Sequence, residues 1–469
     1  MKAYETTKIG TNRGCPRLWL QGRKPRAAGF LPGQRFNARK DEERGMLVLE
    51  LSDIGSRVVS RKVKGDTQEP IIDINSMEVL SVLSGHEVVR VIVQARRIIV
   101  MPLASEIAKS DRLGRLQHKL QTGEPLAVGS ISHGGGVLSH ALHAGLQDAG
   151  VATHLAFAND IRPELLEQAG EHNSAWSEST IAVAAPMQEL AFDAWAMSQL
   201  PKVEIMEAGI PCSGASVAGR AKRGLQHPEA HPEVGHLVVA FLAIIAKVQP
   251  AVVLLENVKP YMATASMSIL RNQLRDLGYR VHEEVLQASD WNALEHRERM
   301  CMVAVTEGMS FDFSALQRPE KHERRIAGVL DAVPEDADCW SEMQGLKTKQ
   351  ERDQEAGKGF AMQIITGSDI RCPTITKGYS KVRSTDPKLR HPTNPNLLRQ
   401  FTPGEHARIK GVPEQLVQGL SATLAHELLG QSICYEPFRA VAMVLGKMLK
   451  ATHAAQSVQT ESPLLQLVG

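Results

Sequence analysis

The sequence contains no Cys-x-x-Cys pair. Its six cysteines, Cys15, Cys212, Cys301, Cys339, Cys372 and Cys434, stand far apart. That spacing excludes a zinc ribbon or finger, and no metal is expected. In a chain of 469 residues it also argues against a disulfide framework. A surplus of charge of one sign is missing too: the net charge is +2, so the chain as a whole is no simple polyanion binder. No long apolar run is unbroken. The best candidate, "HLVVAFLAIIAKVQPAVVLLE", is interrupted by Lys247, Gln249 and Pro250 and reads as a helix followed by a strand, not as a membrane span. The opening "MKAYETTKIG" is polar and unlike a signal peptide. A cytoplasmic protein is expected, with no membrane contact.

What is present is enough apolar material, 43%, for the cores of two to four domains. Charge is also unevenly spread. Residues 1–64 hold 15 Lys and Arg against 6 Asp and Glu, and residues 369–411 hold 9 against 3. Such zones can contact phosphates without a basic whole. Residues 1–103 contain two similar pieces, "GFLPGQRFNARKDEERGMLVLEL" and "VLSGHEVVRVIVQARRIIVMPL". Each reads as a glycine turn followed by two strands, and together they predict a small β barrel. The piece "LWLQGRKPRAAGFLPGQRFNAR" resembles the swapped-hairpin barrels of the SymE and AbrB type. That resemblance implies a homodimer and a contact with nucleic acid. Residues 104–124 read as an exposed helical linker.

From about residue 125 the pattern changes. Short apolar runs, "PLAVGSIS", "THLAFAND", "KVEIMEAG", "AVVLLENV" and "MCMVAV", alternate with helical segments. This predicts a doubly wound α/β fold with a parallel sheet, whose ligands sit beyond the carboxyl ends of the strands. Residues 307–398 lose the rhythm and read as an inserted module. Residues 399–450 return to helices, with Thr402 and Glu405 placed as a capping box, and 451–469 form a tail. The chemistry-bearing residues fall at strand ends. "SISHGGGV" is a glycine-rich turn entering a helix, suited to a cofactor. "FAND" places Asp160 where a ribose could be held. "IPCSG" carries Cys212, "LLENV" carries Glu256, and "EHRER" brings Arg297 and Arg299 just before a strand. Each is ordinary alone. Their order along one sheet edge allows them to converge on one cleft.

In that order the residues resemble the DNA cytosine-5 methyltransferases over about residues 125–450. The Pro-Cys loop matches "GIPCSGAS", Glu-Asn-Val matches "LLENV", and Gln-x-Arg-x-Arg matches "EHRER". The later elements match "RQFTPGEHARIKGVP" and "LLGQSICYEPFRAVAMVLG". The resemblance implies a Rossmann-like sheet that uses S-adenosyl-L-methionine, over residues 125–306 completed by 399–450, with 307–398 as a target-recognition domain. Double-stranded DNA is the implied partner, and the nucleoid the place of action. Cys212 is then the nucleophile that adds to carbon 6 of a flipped-out cytosine. Glu256 is the acid at ring N3, and Arg299 and Arg297 hold base and acid. Gly134, Gly136, Asp160, Pro211, Gln431 and Ser432 are expected at the donor. Ser213, Arg220, Lys222 and Arg223 on a closing loop, with Lys377, Lys381 and Arg383 in the inserted module, are expected on DNA.

The donor side departs from the family pattern. Ser130 stands for an acidic residue, Ser132 for an aromatic one and Val137 for a glycine. Pro186 stands where an acid near the adenine is usual, Glu295 replaces Gln, and Gln431 replaces Asn. An altered donor and a catalytically silent DNA-binding regulator are the alternatives these changes leave open. A nicotinamide dehydrogenase, suggested by the glycine turn alone, has no use for the Pro-Cys and Glu-Asn-Val elements.

Overall fold

The computed structural model of the protein describes residues 1–64, 67–211 and 226–461. The chain forms two compact units, Met1–Ser110 and Asp111–Gly469.

The first unit is antiparallel. Its strands are β1 Ala3–Lys8, β2 Gly10–Asn12, β3 Cys15–Gln21, β4 Arg35–Asp41, β5 Met46–Leu51, β6 Arg57–Val58, β7 Ser60–Lys64, β8 Thr67–Asn75, β9 Val88–Gln94 and β10 Arg97–Pro102, with short helices α1 Arg23–Ala28 and α2 Met77–Leu80. One sheet runs β1-β9-β10-β5-β4-β6 and the other β2-β3-β8-β7. Both hairpins expected from sequence are there, β4–β5 and β9–β10, joined by the pairing of β10 with β5. Alternating burial along β9, with Val89, Val91 and Val93 inside, is the period of a strand wet on one face. Leu18, Ile72, Leu47 and Ile98, drawn from both sheets, share one core. Among the described residues neither sheet closes on itself. Two open sheets therefore stand where a single barrel was expected.

Helix α3, Ala104–Thr122, corrects the expected exposed linker. Arg112 is fully buried. It donates to Thr306 Oγ1 at 3.1 Å, Gln249 Oε1 at 3.0 Å and the Leu277 carbonyl at 2.9 Å, and its guanidinium lies 4.1 Å from the Tyr279 ring centroid. Satisfied this way, an arginine can be buried, and a polar sequence pattern gives no hint of it.

The second unit holds the predicted α/β sheet. Its strands and helices are β11 Leu126–Ile131, α4 Val137–Asp148, β12 Thr153–Asp160, α5 Pro163–His172, β13 Ile181–Ala184, α6 Met187–Phe192, α7 Ala194–Gln199, β14 Ile205–Ala208, α8 Leu237–Val248, β15 Val252–Asn257, α9 Ala265–Asp276, β16 Tyr279–Gln287 and β17 Glu298–Thr306. The order is β13-β12-β11-β14-β15-β17-β16. The first five strands are parallel, while β17 is antiparallel to β15 and β16 to β17. The sheet is therefore mixed rather than all parallel. The reversal brings the start of β17 to the same edge as the end of β15. Helices cover both faces. Leu126 and Val128 pack with Leu142 and Leu146 on one side, and Ala127 and Ile131 with Phe241 and Ile244 on the other.

The inserted region carries α10 Gln344–Glu355 and three short strands, β18 Ile364–Ile365, β19 Lys388–Arg390 and β20 Leu398–Arg399. Ile326, Cys372, Tyr379, Leu389 and Phe401 form its small core. The chain then returns through α11 Pro403–Lys410, α12 Ala422–Gln431 and α13 Tyr435–Glu461. The capping box of Thr402 and Glu405 at the start of α11 is present as predicted. Among the described residues no helix is long and apolar enough to cross a membrane.

Helices α4 and α13 meet closely because both are small at the crossing. A Cβ on Gly145 would lie 2.2 Å from the Arg439 carbonyl oxygen, and one on Gly446 would lie 2.5 Å from the Ala149 Cβ. Replacing Gly145 by Ala is expected to cost about 1–3 kcal/mol, the usual range for overpacking. The urea midpoint should fall with the slope unchanged.

Candidate active site

The end of β14 leads into the Pro-Cys loop. Gly209 N–H donates to the Ile131 carbonyl at 3.2 Å, so the loop leaves alongside β11. Asn257, at the end of β15, donates from Nδ2 to the Ile210 carbonyl at 3.0 Å. This bond fixes the backbone two residues before Cys212. Pro211 is exposed at the rim. Cys212, Ser213, Arg220, Lys222 and Arg223 lie outside the described residues.

Glu256 sits at the other side of this loop. A Cβ on Gly209 would be 3.7 Å from Glu256 Oε2 and 3.8 Å from the Ser132 carbonyl oxygen. The carboxyl is largely buried. Burial raises its pKa above the usual carboxylate value, against the pull of Arg299, Arg297 and Lys410. Arg299 Nε lies 2.8 Å from Glu256 Oε1. The strand register explains the pair. Glu256 faces Cys301 across β15 and β17, so Arg299, two residues earlier, is its diagonal neighbour on the same face.

Arg297 takes another path. It is buried, donates from Nη2 to the Gly430 carbonyl at 3.1 Å, and stands 3.5 Å from Glu295 Oε1. Arg299 thus holds the acid directly, and Arg297 ties β17 to the end of α12.

At the glycine-rich turn Gly134 and Asp160 come together. Gly134 N–H donates to Asp160 Oδ2 at 2.8 Å. Ser132, Gly134 and Gly136 all have positive φ, which Gly adopts without strain. A Cβ on Gly134 would meet no atom within 4 Å. Gly136 caps α4 with no side-chain hydrogen bond, leaving its first N–H groups available to a ligand. Gly135 lies against Leu428, where a Cβ would come within 2.2 Å. This contact sets α12, with Gln431 and Ser432 at its end, beside the turn. Gln431 is exposed, and Ser432 donates from Oγ to the Leu429 carbonyl at 2.9 Å. These groups fit a nucleoside-bearing donor: an open glycine turn, a helix N-terminus and a carboxylate at the next strand end. Pro186 precedes α6 and brings no carboxylate of its own.

Cys372 of the inserted region exchanges backbone hydrogen bonds with Leu294 and His296, both at 2.7 Å, and a buried ion pair lies beside this junction. Glu295 Oε2 lies 3.4 Å from Lys410 Nζ, both side chains wholly buried. Glu295 Oε1 accepts from Ile375 N–H at 2.8 Å, and Oε2 accepts from the Cys434 thiol at 3.3 Å. Lys410 donates to the carbonyls of Leu429 at 2.6 Å and Ser432 at 2.9 Å. Burial by itself would raise the Glu295 pKa. Lys410 and then Arg297 reverse this and hold it below the carboxylate range. Lys377 follows directly, because its backbone packs on Gly430, where a Cβ would be 2.3 Å from Lys377 N. Lys381 and Arg383 are exposed on the same segment.

Asn257 and Lys410 act here without having stood out in the sequence. Asn257 was visible only as part of Glu-Asn-Val. Lys410 lies on the helix that the sequence marked only by its capping box. Among the described residues no cluster of His, Cys, Asp and Glu has the makings of a metal site.

Two outcomes are expected. Since the folded Glu256 pKa lies above its ordinary value, the folded form takes up this proton before the unfolded chain does. Its contribution to stability is full at low pH and declines as pH rises from the ordinary value to the raised one. Arg299→Leu removes an opposing charge, so a 13C titration of the Glu256 carboxyl should move to still higher pH. For the buried pair, Lys410→Met removes the first of two cations beside Glu295, leaving Arg297 at 3.5 Å, and should cost about 3 kcal/mol in urea unfolding, the low end for a broken buried pair. Combining it with Glu295→Gln should recover more than half of that.

With this geometry in place, comparisons with known proteins agree on one family. The sequence profile of the C-5 cytosine-specific DNA methylases matches residues 141–447. The type II methyltransferase M.NlaX of Neisseria lactamica is 28% identical over 261 residues, 54% of this chain and 80% of that protein. M1.ScrFI of Lactococcus lactis subsp. cremoris is 27% identical over 261 residues, 54% of this chain but only 64% of that protein. In fold, the chain is similar to the S. pombe Dnmt2 methyltransferase, with TM-score 0.54 at 20% identity, over 70% of this chain and 99% of that one. Matched by that profile over more than half its length, the chain belongs to the family of C-5 cytosine-specific DNA methylases.

Proposed function

We propose that this C-5 cytosine DNA methyltransferase uses Cys212 as nucleophile, Glu256 as acid and S-adenosylmethionine as methyl donor. The observation that carries the reading is the Glu256–Arg299 pair, 2.8 Å apart, beside a loop held by Asn257 two residues before Cys212. Carbon 5 of cytosine is too weak a nucleophile to take a methyl group. A thiolate adding at carbon 6 turns the ring into an enamine and activates carbon 5. The electron pair moves toward N3, where a protonated Glu256 donates a hydrogen bond or a proton. Its raised pKa suits that role. Arg299 orients the carboxyl and adds positive charge to the pocket. Loss of the carbon 5 proton, with departure of the thiolate from carbon 6, then restores the ring.

The donor supplies an electrophilic methyl group when bound. The glycine turn, the start of α4, Asp160, Pro211 and the Gln431–Ser432 end of α12 would hold it. Residues 125–306 and 399–450 form the catalytic domain in this reading, and 307–398 the target-recognition domain. Lys377, Lys381 and Arg383 would contact the duplex, with Ser213, Arg220, Lys222 and Arg223 closing over the flipped base. Residues 1–103 remain a candidate contact to nucleic acid or to a second copy.

Nucleoside analysis of duplex DNA incubated with the purified chain and S-adenosylmethionine tests this directly. 5-Methyldeoxycytidine should appear, and Cys212→Ala should abolish it. Glu256→Gln should slow transfer about 10²–10⁴-fold. DNA binding with no modified base would instead identify a silent regulator. A product of any other mass would identify an altered donor.

A further inference from the structure

Among the described residues, one buried carboxyl oxygen has no hydrogen-bond partner: Glu207 Oε1. Glu207 is 1% exposed and lies in β14, a strand otherwise of Ile205, Met206 and Ala208. Burying a carboxyl without a partner is costly, and an orphan of this kind in a folded protein needs a reason.

Its position supplies one. The chain leaves β11 toward β12 and β13 on one side, and later returns to β14 and β15 on the other. The crevice between β11 and β14 is therefore the point where the winding reverses, and ligands of doubly wound sheets bind there. Glu207 is the register partner of Ser130 across that crevice. Ser130 is the position where the donor motif lacks its acidic residue.

The neighbours of Glu207 form a polar chain under the glycine turn. Its Oε1 lies 3.9 Å from His133 Nδ1. His133 Nδ1 is 2.7 Å from Ser130 Oγ, and His133 Nε2 is 3.1 Å from Trp176 Nε1. An indole nitrogen can only donate, so Nε2 accepts and the ring proton sits on Nδ1. That proton is directed to Ser130. A Cβ on Gly136 would lie 2.6 Å from His133 Nε2 and 2.4 Å from Asn173 Nδ2, so the turn rests directly on these side chains. The chain is satisfied at its Trp176 end and open at Glu207.

We infer that Glu207 is the acidic residue of the donor pocket, transferred across the sheet from position 130, and that it faces the cationic amino-acid end of S-adenosylmethionine, with His133 and Ser130 positioning it. The inference rests on the methyl-donor reading above.

Isothermal titration of the full chain with S-adenosylmethionine and with S-adenosylhomocysteine provides the test. The wild-type chain should bind both. Glu207→Gln should weaken S-adenosylmethionine at least tenfold, with no loss in the urea midpoint. Adding Ser130→Asp to Glu207→Gln should restore most of the affinity, because the carboxyl returns to its usual strand. A larger loss for S-adenosylmethionine than for its neutral-sulfur product places Glu207 at the sulfonium, and an equal loss places it at the ammonium. Unchanged affinity in Glu207→Gln overturns the inference and leaves the donor reading standing. Failure of the wild-type chain to bind either compound removes the donor reading and the inference with it. If Glu207→Gln does not fold, Glu207→Asp carries the same comparison, since it keeps the charge but withdraws it by one methylene.

Discussion

Two opposite charges with wholly buried side chains, Glu295 and Lys410, tie segments of the second unit together. Four segments end on this pair: the approach to β17, the strand-like stretch through Ile375, the end of α11, and the link from α12 to α13. Such a pair gains little net stability, because desolvation offsets most of the attraction. Its effect is selective. A displaced segment would leave a charge or a carbonyl unmatched in a dry interior. Arg297 is oriented by the same cluster, so the direction of β17, and with it Arg299, is set from here. The backbone of Lys377 is packed on the same joint, which ties the surface expected to read DNA to the strand that holds the acid.

The antiparallel return of β17 is the second constraint. In an all-parallel sheet a strand start and a strand end lie on opposite edges. Reversing β17 brings Arg299 to the edge that already carries Glu256 and the end of β14. The glycine turn reaches the same place from the other side of β14, because the Ser132 carbonyl and Glu256 both lie against Gly209. Gly209 therefore lies between the glycine turn and Glu256, and a Cβ there would make ordinary van der Waals contact with both, at 3.8 and 3.7 Å.

Much of this was legible in the sequence, for definite reasons. The strands β11, β12, β14, β15 and β17 are short apolar runs, and apolar runs of that length mark buried strands. Thr402 and Glu405 announced a helix start by their spacing. Glu256 and Arg299 were recognisable because their residue types fit one reaction. Other features were hidden. β13 and β16 are half-exposed edge strands and carry weaker patterns. The reversal of β17 depends on a pairing that no local pattern encodes. Arg112 and Lys410 look like surface residues until their carbonyl and carboxyl partners are known. The barrel expected of the first unit failed because hairpins fix their own pairing but not how many sheets they join. Glu207 did leave a trace, as an acid inside an apolar strand, but its meaning needed the register with Ser130.

The packing of α4 on α13 has a consequence for how the protein is made. The two helices meet almost without side chains between them, at Gly145 and Gly446, and Leu142 and Leu146 share a core with Val441 and Leu445. About 300 residues separate the two helices in the chain, and a ribosome needs on the order of tens of seconds to add that many. Through that interval the first strand–helix unit of the sheet has emerged with its apolar face uncovered. The glycine turn at its head cannot be buttressed by Leu428 until α12 follows. The newborn chain thus carries this strand–helix unit with its α13-facing side unpacked until nearly its last helix is synthesised.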